Sequence, residues 1–232
     1  MTIEELEEFD ERIFVVHASW ATTVIEGSEL TEEEAAAVLA GHKPPKYLER
    51  GARETLNARS ASKYVKKAIN FPLSHSLIFN INKIIMTGTT NKLFGAYRQR
   101  NVRGGDRKVE VDFKDAPMLM SNLIKWYNRT EQEGSVSPLK LATRFHGNFE
   151  RIHPFEDGNG RTGRMLFDWM IHRQKLPPLV LSLDYIQDYY DGFDEITKHE
   201  DYQLLQSYFT QCYEVLAMKI KAFYKAKRGR DI

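Results

Sequence analysis

The chain has 232 residues, with 33 Lys plus Arg against 32 Asp plus Glu and a formal net charge of +1. Its 42% hydrophobic and 28% charged residues are ordinary for a soluble globular protein, and its length suits one large domain, or one with a small extension. The balance of charge gives no reason to expect nucleic acid, no run approaches the roughly 18 apolar residues of a membrane span, and one cysteine, Cys212, excludes an intrachain disulfide.

With no basic-then-apolar start either, a soluble, cytoplasmic protein that touches no membrane is expected. The acidic start, IEELEEFDE, and the basic end, KIKAFYKAKRGR, read as solvated helix faces and a frayed tail.

Taken in order, the elements are almost all helical. Leu6, Phe9, Ile13, Phe14, His17, Trp20 and Val24 recur at helical spacing, and Gly27 is a stop. Thr31 to Glu34 reads as a capping box opening EEEAAAVLAG, closed by Gly41 and two prolines. YLERGARETLNARSASKYVKKAI is the next helix, and LSHSLIFNINKIIMTG another, with Ser74 as cap and Gly88 as stop.

The pattern then changes to alternation. GAYRQRNVRGGDRKVEVDF places Val102 before Gly104-Gly105 and Val109, Val111 and Phe113 after, which predicts a β-hairpin. Helices resume with APMLMSNLIKWYNRT and with SPLKLATRFHGNFERI, whose Pro138 sits in the first turn. RTGRMLFDWMIHRQK, YIQDYYDGFDEIT and YQLLQSYFTQCYEVLAMKIKAFYKAK follow, with Cys212 read as a small core residue and LPPLVLSL as loop. The expected class is mainly α, a helical bundle bearing one hairpin. Residues 1–70 are expected to form an N-terminal helical region packed on a core of residues 71–232.

The stretch IHPFEDGNGRTGRM admits two readings. Gly158, Gly160 and Gly163 give the dinucleotide spacing, with Asp184 about 20 residues on as a ribose acid. That fold needs a strand before the first glycine, and here a helical run ending in proline precedes it. The second reading uses every polar residue. Gly158, Asn159 and Gly160 between two helices turn backbone N–H groups toward one point, and the next helix adds its positive end, making an anion site. Arg161 and Arg164, three apart in the first turn, suit a polyphosphate. Asp157 is a hard oxygen ligand for Mg²⁺ shared with a nucleotide, and His153, held by Pro154, is a general base.

HPFEDGNGRTGR resembles the signature of the Fic family, His-x-Phe-x-(Asp/Glu)-Gly-Asn-Gly-Arg-x-x-Arg, at every defined position. Weaker likeness runs from about Trp20 to about Tyr208 and includes GAYR and HGNFERIHPF. The resemblance implies a Fic-like bundle that transfers AMP from ATP to a protein Ser, Thr or Tyr hydroxyl and releases pyrophosphate. It gives His153 the role of base, Asp157 that of Mg²⁺ ligand, and Gly158, Asn159, Gly160, Arg161 and Arg164 contacts to the phosphates. The hairpin, with Val102, Arg103, Gly104, Gly105 and Val109, would be a flap that pairs with an extended segment of the target. Tyr189 and Tyr190 resemble a pair near the adenine pocket, or pack in the core. Thr197 stands where some relatives have an asparagine.

TTVIEG, Thr22 to Gly27, resembles the family's inhibitory motif (Ser/Thr)-x-x-x-Glu-(Gly/Asn), in the subclass that carries it N-terminal in the same chain. Glu26 would pair with Arg164 and occupy the γ-phosphate space; whether it also supports removal of AMP is left open. The rivals are phosphate or other nucleotide transfer on the same fold, and a catalytically silent ATP-binding regulator. Self-modification and a homo-oligomer are compatible with the sequence.

Overall fold

The fold is that of a computed structural model, which describes residues 15–104 and 107–228, with the backbone alone at 107, 108, 224 and 226–228. The first 14 residues, Gly105, Asp106 and the last four residues of the basic tail lie outside the described residues.

A π-wound turn at residues 15–17 leads into α1 (Ala18–Val24). Gly27, at φ +90°, turns the chain away as its position predicted. The capping box is present: Thr31 Oγ1 accepts from the Glu34 N–H at 3.2 Å, and Glu34 Oε2 accepts from the Thr31 N–H at 2.9 Å. It opens α2 (Glu32–Leu39). α3 (Glu49–Lys67) follows a single 3₁₀ turn, and Ser74 caps α4 (His75–Met86) by accepting from the Leu77 N–H.

The hairpin is shorter than the alternation predicted. β1 (Arg103–Gly104) pairs antiparallel with β2 (Arg107–Lys108), Arg103 opposite Lys108 and Gly104 opposite Arg107. Val102, Val109, Val111 and Phe113 lie outside the ladder. Side chains take the backbone groups that a longer ladder would use: Arg98 donates to the Val111 carbonyl and Asn101 Oδ1 accepts from the Phe113 N–H.

The remaining helices are α5 (Ala116–Glu133), α6 (Pro138–Ile152), α7 (Asn159–Arg173), α8 (Ile186–His199) and α9 (Gln203–Arg228). α6 and α7 are the centre of the bundle. α7 packs against α3 and α4 on one side, while α6 packs against α5, α8 and α9. A single apolar cluster includes Ala21, Ile78, Ile81, Phe145, Phe149, Phe155, Leu166, Trp169, Phe209 and Cys212. Each large side chain fully buried there stabilises the fold by roughly 1.5–3 kcal/mol. A smaller cluster of Leu30, Val38, Leu48 and Ala52, with Trp20 against it, docks α1 and α2 on α3. Among the described residues, no helix is long and apolar enough to cross a membrane.

Candidate active site

α6 ends at His153, whose backbone is left-handed at φ 51°, ψ 60°. A residue other than glycine pays about 1–2 kcal/mol there, and Pro154 next in sequence discourages the helical alternative. The conformation persists because Arg98 fixes it. Arg98 is only 2% exposed. Its N–H donates to the Pro154 carbonyl at 2.9 Å and its Nε to the His153 carbonyl at 2.8 Å. The rest of the guanidinium reaches Arg100, Asn101 and Val111, so one side chain ties the motif loop to the base of the hairpin.

Asn159 closes the same loop from the other end. Its Oδ1 accepts from the Phe155 N–H at 2.9 Å and its Nδ2 donates to the Phe155 carbonyl at 3.0 Å. The Asn159 side chain is thus engaged in the loop, which suits the expectation that its backbone N–H faces an anion. Phe155 is buried against Phe79, Tyr97 and Phe149, as an inward anchor should be. Gly158 stands at φ +75°, and its N–H donates to Asp157 Oδ1 at 2.8 Å. A Cβ there would lie 2.3 Å from Met86 Sδ, so α4 and the motif touch at a point where only glycine fits.

From this turn α7 starts with no side-chain cap, which leaves its first N–H groups and positive end facing the cradle. Arg161 rises from its first turn and Arg164 from its second, each 4% exposed. Arg161 Nη1 lies 3.0 Å from Glu54 Oε1 and its Nη2 lies 3.5 Å from Asp157 Oδ1. Neither its Nε nor its Nη1 has a hydrogen-bond partner. Arg164 reaches the N-terminal segment: Nε donates to Thr22 Oγ1 at 2.8 Å, and Nη2 to the Thr22 carbonyl at 3.0 Å and Glu26 Oε1 at 2.6 Å. Burial works against the Arg164 charge, but Tyr189 and Glu26 outweigh it and hold the guanidinium above its usual pKa. A Cβ on Gly160 would sit 2.3 Å from Glu26 Oε1. The Glu26 carboxylate therefore lies directly on the first turn of α7, as an anion supplied by the chain itself. Gly27 forms the turn behind it.

His153 faces the hairpin. A Cβ on Gly104 would be 3.2 Å from His153 Cε1 and 3.7 Å from Val109 Cγ2, so Gly104 borders the imidazole and Val109 packs beside Gly104. Burial pushes the imidazole down to about 4, against an opposing backbone hydrogen bond near Glu150, so at neutral pH it is an unprotonated acceptor. Asp157 is partly open to solvent, with Lys92 Nζ 3.2 Å from its Oδ2.

The tyrosine pair divides. Tyr189 is 2% exposed, and its hydroxyl meets His146 Nε2 at 2.9 Å and Arg164 Nη1 at 3.3 Å, so it braces Arg164 from within the core. Tyr190 is 38% exposed and donates to the Ile25 carbonyl at 3.2 Å. Thr197 donates to its own helix, at the Phe193 carbonyl. Several residues that hold the site carried no signal in the motif itself: Glu54, Asn82, Lys92, Arg98, His146 and Glu150. Asn82 was detectable as one polar residue on the stripe of Ile78, Ile81 and Ile85, and Arg98 as the last residue of GAYR.

Residues 72–171 match the family model described as Fic/DOC family. The protein adenylyltransferase Fic of Culex quinquefasciatus is 32% identical over 164 residues, 69% of this chain and 32% of that protein. The chain thus spans about a third of the length of the curated relatives it matches. Among solved structures, a Fic domain containing signaling protein from Bacteroides thetaiotaomicron superposes with a TM-score of 0.84 at 22% identity, covering 97% of this chain and 92% of that one. C. elegans Fic-1 superposes at 0.81 and 21% identity, covering 97% of this chain and 66% of that one. These likenesses show the all-α Fic fold, and the matched segment holds α4 to α7 with the whole motif loop. By fold and by motif, the chain belongs to the Fic/DOC family.

Proposed function

We propose that this protein is an adenylyltransferase, which moves AMP from ATP to a hydroxyl of a protein target and is held in check by its own Glu26. The observation that carries the reading is the Glu26 carboxylate seated on Arg164 and the first turn of α7, an anion already occupying a cradle suited to phosphate. The full motif around it and the adenylyltransferase relatives supply the reaction class.

In this reading the target's hydroxyl loses its proton to His153, which is neutral and stands at the mouth beside Gly104. The hydroxyl oxygen bonds to the α-phosphorus, the bond to the β-phosphate bridging oxygen breaks, and pyrophosphate leaves. Arg161, with buried donors to spare, and the N–H groups of Asn159 and Gly160 hold the phosphates in line. Tyr190 borders the adenosine end, while Tyr189 steadies Arg164. Among the described residues, no three His, Cys, Asp or Glu form a metal cage. A lone, partly open carboxylate fits Mg²⁺ only as an ion shared with phosphate oxygens, and Asp157 is that carboxylate. When bound, the ion neutralises phosphate charge. The hairpin, with Val102, Arg103, Gly104 and Val109, receives the target by strand addition, Gly104 lying beside the base.

Glu26 competes for Arg164 with the γ-phosphate and so disfavours productive ATP. The experiment that tests the reaction is label transfer in a cell lysate, using the Glu26→Gly protein with ATP labelled at the α- or the γ-phosphate. Label from the α-position alone, lost when His153→Ala is added, is expected. Label from the γ-position that is likewise lost with His153→Ala would mean phosphate transfer by this protein and contradict the reading.

A further inference from the structure

Outside the HPFEDGNGRTGR motif, one cation stands at the lip of the cradle. Lys92 Nζ is 3.2 Å from Asp157 Oδ2, and its side chain is 51% exposed. Its position is built, because the loop that carries it is fastened at both ends. At the start, the Thr89 N–H and Oγ1 both donate to the Met86 carbonyl at the end of α4, and the Lys92 N–H donates to Thr90 Oγ1 at 3.1 Å. At the end, the Gly95 N–H donates to Asn82 Oδ1 at 2.7 Å. The same Asn82, fully buried, donates from Nδ2 to the Asp157 carbonyl at 3.2 Å and to Thr162 Oγ1 at 3.1 Å. One side chain thus locks the Lys92 loop to the motif loop and to the first turn of α7.

We propose that Lys92 is a phosphate-binding residue of this site, supplied by the loop before the hairpin. The proposal rests on the reading of the cradle as a nucleotide site and adds to it a ligand that the motif does not contain. An ion pair as open as Lys92 with Asp157 is weak, because water screens it. A polyphosphate in the cradle offers the ammonium several charged acceptors in place of one carboxylate. Asp157, were it to hold a divalent cation, would release the ammonium to the phosphate oxygens. Lys92 then keeps Asp157 compensated while the site is empty and grips the nucleotide once it is filled.

The test is calorimetric titration of the full chain with ADP and with adenosine, both with Mg²⁺. ADP lacks the γ-phosphate, so Glu26 does not obscure the result. Lys92→Met is expected to weaken ADP about tenfold, the loss of one charge-assisted hydrogen bond, and to leave adenosine unchanged. Lys92→Arg, which keeps the charge, retains most of the ADP affinity. If Lys92→Met binds ADP as wild type does, or more tightly, the lysine is only a counter-charge for Asp157 and the proposal fails alone. If wild type binds neither ligand, the nucleotide reading fails and the proposal with it.

Discussion

Glu150 shows how far a single buried residue departs from its behaviour in water. Its Oε1 has no hydrogen-bond partner, and burial pushes the carboxyl up to about 8; Arg164 opposes this and Glu26 adds to it. Between the ordinary value of 4.5 and about 8 the folded protein keeps a proton that the unfolded chain releases. The stability from this group is therefore complete below 4.5 and lost as pH rises through 8. His146 works in the opposite sense. Burial lowers it to about 3 from 6.5, so its contribution is present above 6.5 and lost as pH falls toward 3. Glu150→Gln removes the first effect and keeps the shape. It is expected to unfold at nearly the wild-type temperature at pH 5 and at least about 3 °C higher at pH 9; equal melting temperatures at both pH values would count against a proton on Glu150. At this scale the residues proposed to meet phosphate were legible in the sequence, and those that hold them were not. His153, Asp157, Arg161 and Arg164 announce themselves because their chemistry is packed into a few positions. Glu150, Asn82 and Glu54 act from other helices, and their meaning exists only once the helices pack.

The elements were legible where a local rule decides them. Thr31 and Glu34 form the predicted capping box, and Ser74 caps α4, because those bonds lie within four residues. The hairpin was overextended because its competitor is distant in kind: the Arg98 guanidinium and the Asn101 amide take backbone groups that alternation alone would assign to a ladder. Arg98 links three parts, the hairpin stem, the His153 carbonyl and the Pro154 carbonyl. Arg98→Met keeps the backbone bond to the Pro154 carbonyl but leaves the part-buried His153 and Val111 carbonyls without their guanidinium donor, at a cost of about 2–4 kcal/mol. Urea unfolding should show that loss, and the variant should lose at least about 100-fold in transfer even where it remains folded, since His153 is no longer held. A variant that is destabilised but transfers at the wild-type rate would show that Arg98 does not position the base.

In the whole molecule, the N-terminal helices are part of the site. Ala21 on α1 belongs to the same apolar cluster as α4, α6, α7 and α9, so the segment that carries Glu26 is fixed by the core. Trp20 holds it further, donating from Nε1 to the Leu30 carbonyl at 2.7 Å against the smaller cluster of α2 and α3. The Thr22 and Glu26 contacts to Arg164 follow from that docking. A short motif, TTVIEG, pointed to the contact, but the packing that delivers it lay in residues spread from Trp20 to Ala52. In the proposed function this docked carboxylate restrains an AMP transferase whose base is His153. That function is tested most directly by intact-mass analysis of wild type, Glu26→Gly, and Glu26→Gly with His153→Ala, each incubated with ATP, Mg²⁺ and lysate-derived protein targets. Adducts of about 329 Da, the unit left when a nucleophile displaces pyrophosphate from ATP, are expected to be abundant with Glu26→Gly, scarce with wild type and absent with the double variant. Equal adducts with wild type and Glu26→Gly, or adducts that survive the loss of His153, would contradict it.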